Sequence, residues 1–299
     1  MQRTRPSRCA AIYEGEGRSK GVRSAIRPDS FQRAHNYHHL IARWRRVARA
    51  AGVPLRPLAK AGTYTVYFLD YRPADASTDR GGLYATAGVH GDEAGTTEGL
   101  LLWAERHLPA LTKPRREAKK ALPFFLVPCL NPWGLVNNRR EAADGTDLNR
   151  VFDRDSDLPV GALKKVLAGR RFDLALTLHE DYDANGLYLY EISEQRRDDL
   201  GETLLAAARS LGFPIDARGT VDTRRFTKPG LVRMRQRTAL AKFDIHPEAI
   251  WLYLNRTRQS LTIETPSEFS LAARARMQAR LIEVCVERLL ITRRRCRHC

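Results

Sequence analysis

Four short apolar runs each end on a specific polar group, and this pattern constrains the fold more than any other feature of the chain. Residues 82–89 lead into His90-Gly-Asp-Glu93 and residues 123–128 into Asn131-Pro-Trp-Gly134. Residues 172–178 end at His179, and residues 261–263 at Glu264. Runs of this length and composition suit strands buried on both faces. Residues 63–69 alternate instead, with Tyr64, Val66 and Phe68 on one side, as in a half-buried strand. Helical spacing fills the intervals, over residues 96–107, 160–167, 200–211 and 270–290. Order is expected to begin near Asn36, and Leu40, Ile41, Trp44, Val47 and Ala48 then recur at helical spacing. Strands alternating with helices predict an α/β fold: a largely parallel, mixed and twisted sheet with helices on both faces. Ligands bind such sheets outside the carboxyl ends of the strands, so four polar strand ends point to one crevice.

The 299 residues carry a formal net charge of +17. Much of the excess sits at the ends, which suggests a basic extension over residues 1–33 and a basic tail over 291–299. One domain is expected between them, over residues 34–290. A nucleic-acid-binding protein is the alternative from another class, because it would explain the charge directly. It leaves the polar strand ends unexplained, and no nucleic-acid-binding motif is present, so nucleic acid is not the expected partner. No run approaches the roughly 20 apolar residues of a membrane-spanning helix. Residues 1–30 lack the apolar run of a secretory signal, so the expected compartment is the cytoplasm. The five cysteines do not form a disulfide framework. Cys129 and Cys285 read as core. Cys296-Arg-His-Cys299 lacks a fourth ligand for a structural metal, and Cys9 is isolated in the other extension.

His-x-x-Glu in a loop just after a strand can turn both side chains toward one ion. His179 offers a third ligand. Alone, each of these histidines reads as a satisfied structural residue. The stretch from Asn138 to Phe152 changes the balance. His90-x-x-Glu93, Asn131-Pro-x-Gly134, Arg140, Asp147-Leu-Asn-Arg150, His179 and Glu264 occur together and in order.

In these pieces the chain resembles the zinc carboxypeptidase family and its relatives, the succinylglutamate desuccinylase and aspartoacylase group. The resemblance spans residues 80–270 and implies the zinc-carboxypeptidase fold. It implies that His90, Glu93 and His179 hold one zinc ion per chain, with water in the fourth position. Glu264 would be the general base, and Arg140 would stabilise the oxyanion. Arg140 is preferred to Arg139 because it precedes Gly145 by five residues, as in short bacterial members. Asn149 and Arg150 would bind a substrate carboxylate. The implied activity is zinc-dependent hydrolysis of an amide bond next to a free carboxylate, by a metallocarboxypeptidase or peptide amidase. The alternative is an N-acyl amino acid deacylase, because Asp147-Leu-Asn-Arg-Val-Phe-Asp153 looks like the deacylase branch and Asn131-Pro-x-Gly134 like the peptidase branch. The partner is accordingly a peptide or an N-acyl amino acid. Tyr253, Tyr188 and Tyr190 are guesses for a tyrosine that closes over substrate; buried aromatic strand residues explain all three as well. Asp181, Asp183 and Glu191 read as a polar turn followed by a strand rather than as groups that orient the metal ligands.

Overall fold

The computed structural model describes residues 34–73, 81–112, 122–194, 199–234 and 237–295. The expected extension over 1–33, Cys9 and the Cys296–Cys299 motif lie outside the described residues.

The four apolar runs become the strands β3 (Leu83–Thr86), β4 (Phe124–Val127), β5 (Leu174–Asp181) and β10 (Gln259–Pro266). They lie side by side in parallel, in the order β4-β3-β5-β10. Antiparallel β2 (Tyr64–Tyr71) and β1 (Leu55–Ala61) extend the sheet beyond β4. Beyond β10 lie antiparallel β6 (Tyr188–Ser193) and then β9 (Leu231–Met234), parallel to β6. The result is an eight-stranded mixed sheet, as the α/β pattern implies.

Helices cover both faces. On one face, α1 (Tyr37–Ala51), α2 (Ala94–Thr112), α5 (Leu200–Ser210) and α8 (Leu271–Arg295) pack on Ala85, Leu176, Leu178, Leu189, Leu261 and Ile263. On the other, α4 (Pro159–Val166) and α7 (Glu248–Asn255) pack on Tyr84, Phe125, Val127 and Ala175. The short helices α3 (Pro132–Asn137) and α6 (Arg237–Leu240) and the two-residue strands β7 (Thr220–Val221) and β8 (Arg224–Arg225) complete the order. Asn36 caps helix α1 by accepting the His39 N–H at 3.0 Å. Among the described residues no helix is long and apolar enough to cross a membrane.

Two expectations need correction. His179 and Glu264 do not end their strands; β5 runs on to Asp181 and β10 to Pro266. The two strands keep each other extended, pairing Glu264 with His179, Thr265 with Glu180 and Pro266 with Asp181. Polar residues can continue these strands because every second side chain faces a cleft rather than packed apolar groups. Helix α8 also passes the expected boundary at residue 290 and reaches Arg295.

Candidate metal centre and cleft

Register assembles the site. On the sheet face covered by α7, cross-strand pairing aligns three rows. His179, Glu264 and Tyr188 form one. Thr86, Thr177, Thr262 and Tyr190 form the next, and Tyr84, Ala175, Ser260 and Ile192 the third. Side chains two residues apart share a face, so rows one and two, Thr86 excepted, line the same cleft, of about 860 Å³.

The loop after β3 brings His90 and Glu93 to that cleft. Gly88, at φ +60°, turns the chain, and Thr96 at the start of α2 accepts the Gly88 N–H at 3.1 Å. A Cβ on Gly91 would stand 2.0 Å from the Gly134 carbonyl carbon, so this loop lies directly on the 131–134 loop. That contact explains Asn131-Pro-Trp-Gly134. Asn131 caps α3 through the Gly134 N–H at 2.9 Å, and its amide nitrogen donates to the Arg140 carbonyl at 3.1 Å. The same asparagine thus fixes the segment that carries Arg140.

His90, Glu93 and His179 are all buried, and one ligand atom of each lies within 4.8 Å of the others. The two imidazole rings are 4.9 Å apart. His90 Nδ1 is 2.6 Å from Glu93 Oε1, and His179 Nδ1 is 3.2 Å from Glu93 Oε2. Glu93 Oε2 and His90 Nε2 are buried and make no well-aligned hydrogen bond among the described residues; their contacts, to His179 Nδ1 and Asp147 Oδ1, are ion-pair contacts only. Two imidazoles and a carboxylate, each with one ligand atom close to those of the other two, form a donor set suited to a zinc-type ion. The electrostatics agree. Burial works against the charged forms, but the mutual attraction of the three groups outweighs it: Glu93 is held low, and His90 and His179 are raised. A cation would replace the charge those protons carry.

Asp147 lies behind His90. Its Oδ1 is 3.3 Å from His90 Nε2, and its Oδ2 accepts from Nε and Nη2 of Arg140 at 3.1 and 3.0 Å. Burial would raise this carboxyl, yet His90, Arg140 and Arg150 hold it well below the usual range. Arg140 lines the cleft, with Nη1 3.1 Å from His90 Nδ1, whereas Arg139 is exposed and does not line it. Asp147 also accepts the Asn149 N–H at 2.8 Å, which folds Leu148–Arg150 into a 3₁₀ turn. Asn149 and Arg150 line the same cleft.

Glu264 is half-buried, next to His179 across the β5–β10 pair. Burial pushes its carboxyl up to about 8; His179 opposes the shift, and Glu93, Asp181 and Asp222 add to it. The cleft therefore gathers all seven residues singled out by sequence: His90, Glu93, Arg140, Asn149, Arg150, His179 and Glu264.

The tyrosines separate. Tyr253 is fully buried in the packed cluster behind Ile192 and Ile250 and does not line the cleft. Tyr188 and Tyr190 line the cleft, their hydroxyls bound to Asp181 at 3.0 Å and Asp222 at 2.7 Å. Asp181 also pairs with Arg218, and Glu191 binds the Gly201 N–H and Arg233, so neither touches the His-Glu-His cluster. Sequence reading gave no role to Asp147, although it quoted the residue within a motif, and it missed Glu248, Thr177 and Thr262. Nothing local marks these residues; cross-strand register and a distant helix end bring them to the site.

Comparison with known proteins agrees with this geometry. Residues 80–225 match the model of the succinylglutamate desuccinylase/aspartoacylase catalytic domain. No curated protein matches the chain. Among solved structures, the chain is similar to a candidate metallopeptidase from Shewanella amazonensis, with TM-score 0.74 and 22% identity over 88% of this chain and 97% of that one. A candidate metallopeptidase from Shewanella baltica gives 0.73 and 20% over 92% and 99%. A metallo-carboxypeptidase from Pseudomonas aeruginosa, in complex with (2-guanidinoethylmercapto)succinic acid, gives 0.57 and 16% over 84% and 69%. The chain thus has the carboxypeptidase-like fold, and its central half matches a hydrolase family; the resemblance seen in its motifs is shown.

Proposed function

We propose that the chain is a zinc-dependent hydrolase that cleaves an amide bond next to a free carboxylate, with peptides as its substrates. One observation carries this reading: a buried His-Glu-His cluster, a raised carboxyl and a row of donors converge on a single cleft. His90, Glu93 and His179 would hold the ion. When bound, zinc acts as a Lewis acid and lowers the pKa of water toward ~7.

The chain's own residues do the rest. Glu264 takes the proton from the attacking water and returns it to the leaving nitrogen. A carboxyl raised by burial and by neighbouring carboxylates suits a base working near neutral pH. Arg140 stabilises the negative charge that develops on the carbonyl oxygen, a charge absent from the ground state. Arg150 and the Asn149 amide bind the substrate carboxylate. The succinic acid moiety of the ligand in the Pseudomonas structure is consistent with that class of substrate.

The breadth of the cleft supports the reading of peptides over small N-acyl amino acids. Thr177 and Thr262, whose hydroxyls bond each other at 2.8 Å, line it together with Tyr190, Ile192, Phe243 and Ile250, beside the charged Asp222 and Arg224.

The test is metal content and hydrolysis, measured on protein purified without chelators or a histidine tag. About one zinc per chain is expected in the wild type and none in His90→Ala, with faster cleavage of peptides than of N-acyl amino acids. Absence of zinc after incubation with excess ion would overturn the reading. Preferential cleavage of N-acyl amino acids would move it to the deacylase branch.

A further inference from the structure

Glu248 is the one fully buried carboxylate of the α7 helix, and the mechanism above does not use it. Its Oε1 accepts from the Tyr84 hydroxyl at 2.6 Å and from the Thr86 hydroxyl at 2.7 Å. Both donors sit on β3, a central strand beside β5. Oε2 has no partner among the described residues. A buried, half-satisfied carboxyl is costly, so its presence calls for an explanation.

The explanation lies at the backbone of the same residue. Helix α7 starts after Pro247 with no cap from its own preceding side chain. Its first N–H, that of Glu248, is accepted at 2.8 Å by Oδ1 of Asn149, ninety-nine residues earlier. Asn149 thus caps α7 from a distant segment of the chain. This settles which way its amide points: the oxygen faces the helix, because only the oxygen can accept an N–H. The nitrogen has no hydrogen-bond partner among the described residues, and Asn149 lines the cleft. Asn149 therefore offers the cleft a donor and no acceptor, which suits an anion.

We infer that Glu248 is a positioning residue for carboxylate recognition: by tying the start of α7 to Tyr84 and Thr86, it holds the N–H that aims the Asn149 amide nitrogen into the cleft. This rests on the reading that Asn149 binds a substrate carboxylate. Without the tie, the helix end shifts against the sheet and the amide loses its fixed orientation. Selectivity for a free carboxylate falls, and chemistry on bound substrate is spared.

The experiment compares benzoylglycyl-phenylalanine with its C-terminal carboxamide, using zinc-loaded enzyme. The wild type should prefer the free acid. Glu248→Ala should reduce that preference about tenfold or more, through KM rather than kcat, with zinc content unchanged. Glu248→Gln keeps a carbonyl oxygen for both hydroxyls and should restore the preference. Tyr84→Phe removes one of the two donors and should give a smaller loss in the same direction; it serves as the test if Glu248→Ala does not fold. Unchanged preference in Glu248→Ala, or in Tyr84→Phe where the alanine variant does not fold, overturns the inference while leaving the proposed function intact. A wild type that does not distinguish acid from carboxamide overturns both, and is recognised before any variant is made.

Discussion

One oxygen of Asp147 accepts from both Nε and Nη2 of Arg140, at 3.1 and 3.0 Å, while its other oxygen lies 3.3 Å from His90 Nε2. The carboxylate thus orients a metal-ligand candidate and the arginine beside it together. Asp147→Asn keeps the shape and removes the charge. Metal affinity should fall about 10–100-fold, the range found when a partner of a ligating histidine is lost. Titration against a competing chelator measures this; unchanged affinity would show that His90 needs no such partner.

Glu264→Gln separates metal binding from chemistry. It leaves all three ligand candidates in place and removes only the base. Zinc content should match the wild type while kcat falls about 10²–10⁴-fold. Turnover within a few-fold of wild type would remove Glu264 from the mechanism.

His179→Ala should leave the chain folded but unable to retain zinc after dialysis. It should also abolish the rise in Tm that added zinc gives the wild type, since an ion that binds only the folded state stabilises it by mass action. Full zinc occupancy in this variant would refute the three-ligand assignment.

Glu248 links pH to stability. Burial raises its carboxyl, against the opposing effects of Tyr84, Thr86, His179 and His90. An acid raised in the folded state stabilises folding below its ordinary value of 4.5, and that contribution is lost as pH rises through the folded value. Glutamine does not titrate. The stability of Glu248→Gln relative to wild type should therefore increase as pH goes from 4 to 8, as measured by urea unfolding at fixed zinc. Parallel pH profiles would show that the carboxyl is not shifted.

Arg43 and Glu98 join α1 to α2 by a buried ion pair at 2.6 Å, and Arg43 also forks onto Glu105 at 3.0 Å. Arg43→Met strands Glu98 in the core and should cost about 3–5 kcal/mol. The double variant Arg43→Met, Glu98→Gln should recover much of that loss in denaturant melts, because no buried charge is then left alone.

The parallel centre of the sheet was legible in the apolar runs, and the groups that line the cleft in the motifs the chain shares with a known family. Apolar runs with polar residues at fixed points are a local signal: a strand buried on both faces must be apolar, and only a cleft tolerates a histidine or glutamate in it. The motifs at Asn131 and Asp147 were legible only as matches to that family; the caps these two residues form were found in the structure. Tertiary structure decided the rest. That β5 and β10 run past His179 and Glu264 depends on their pairing with each other. That Tyr253 is buried while Tyr188 and Tyr190 line the cleft depends on which neighbours cover each ring. That Glu248 meets Tyr84, and Asn149 caps a helix ninety-nine residues away, depends on register and helix docking. Hydrogen bonds across such separations leave no spacing in the chain to read, because packing in three dimensions creates them.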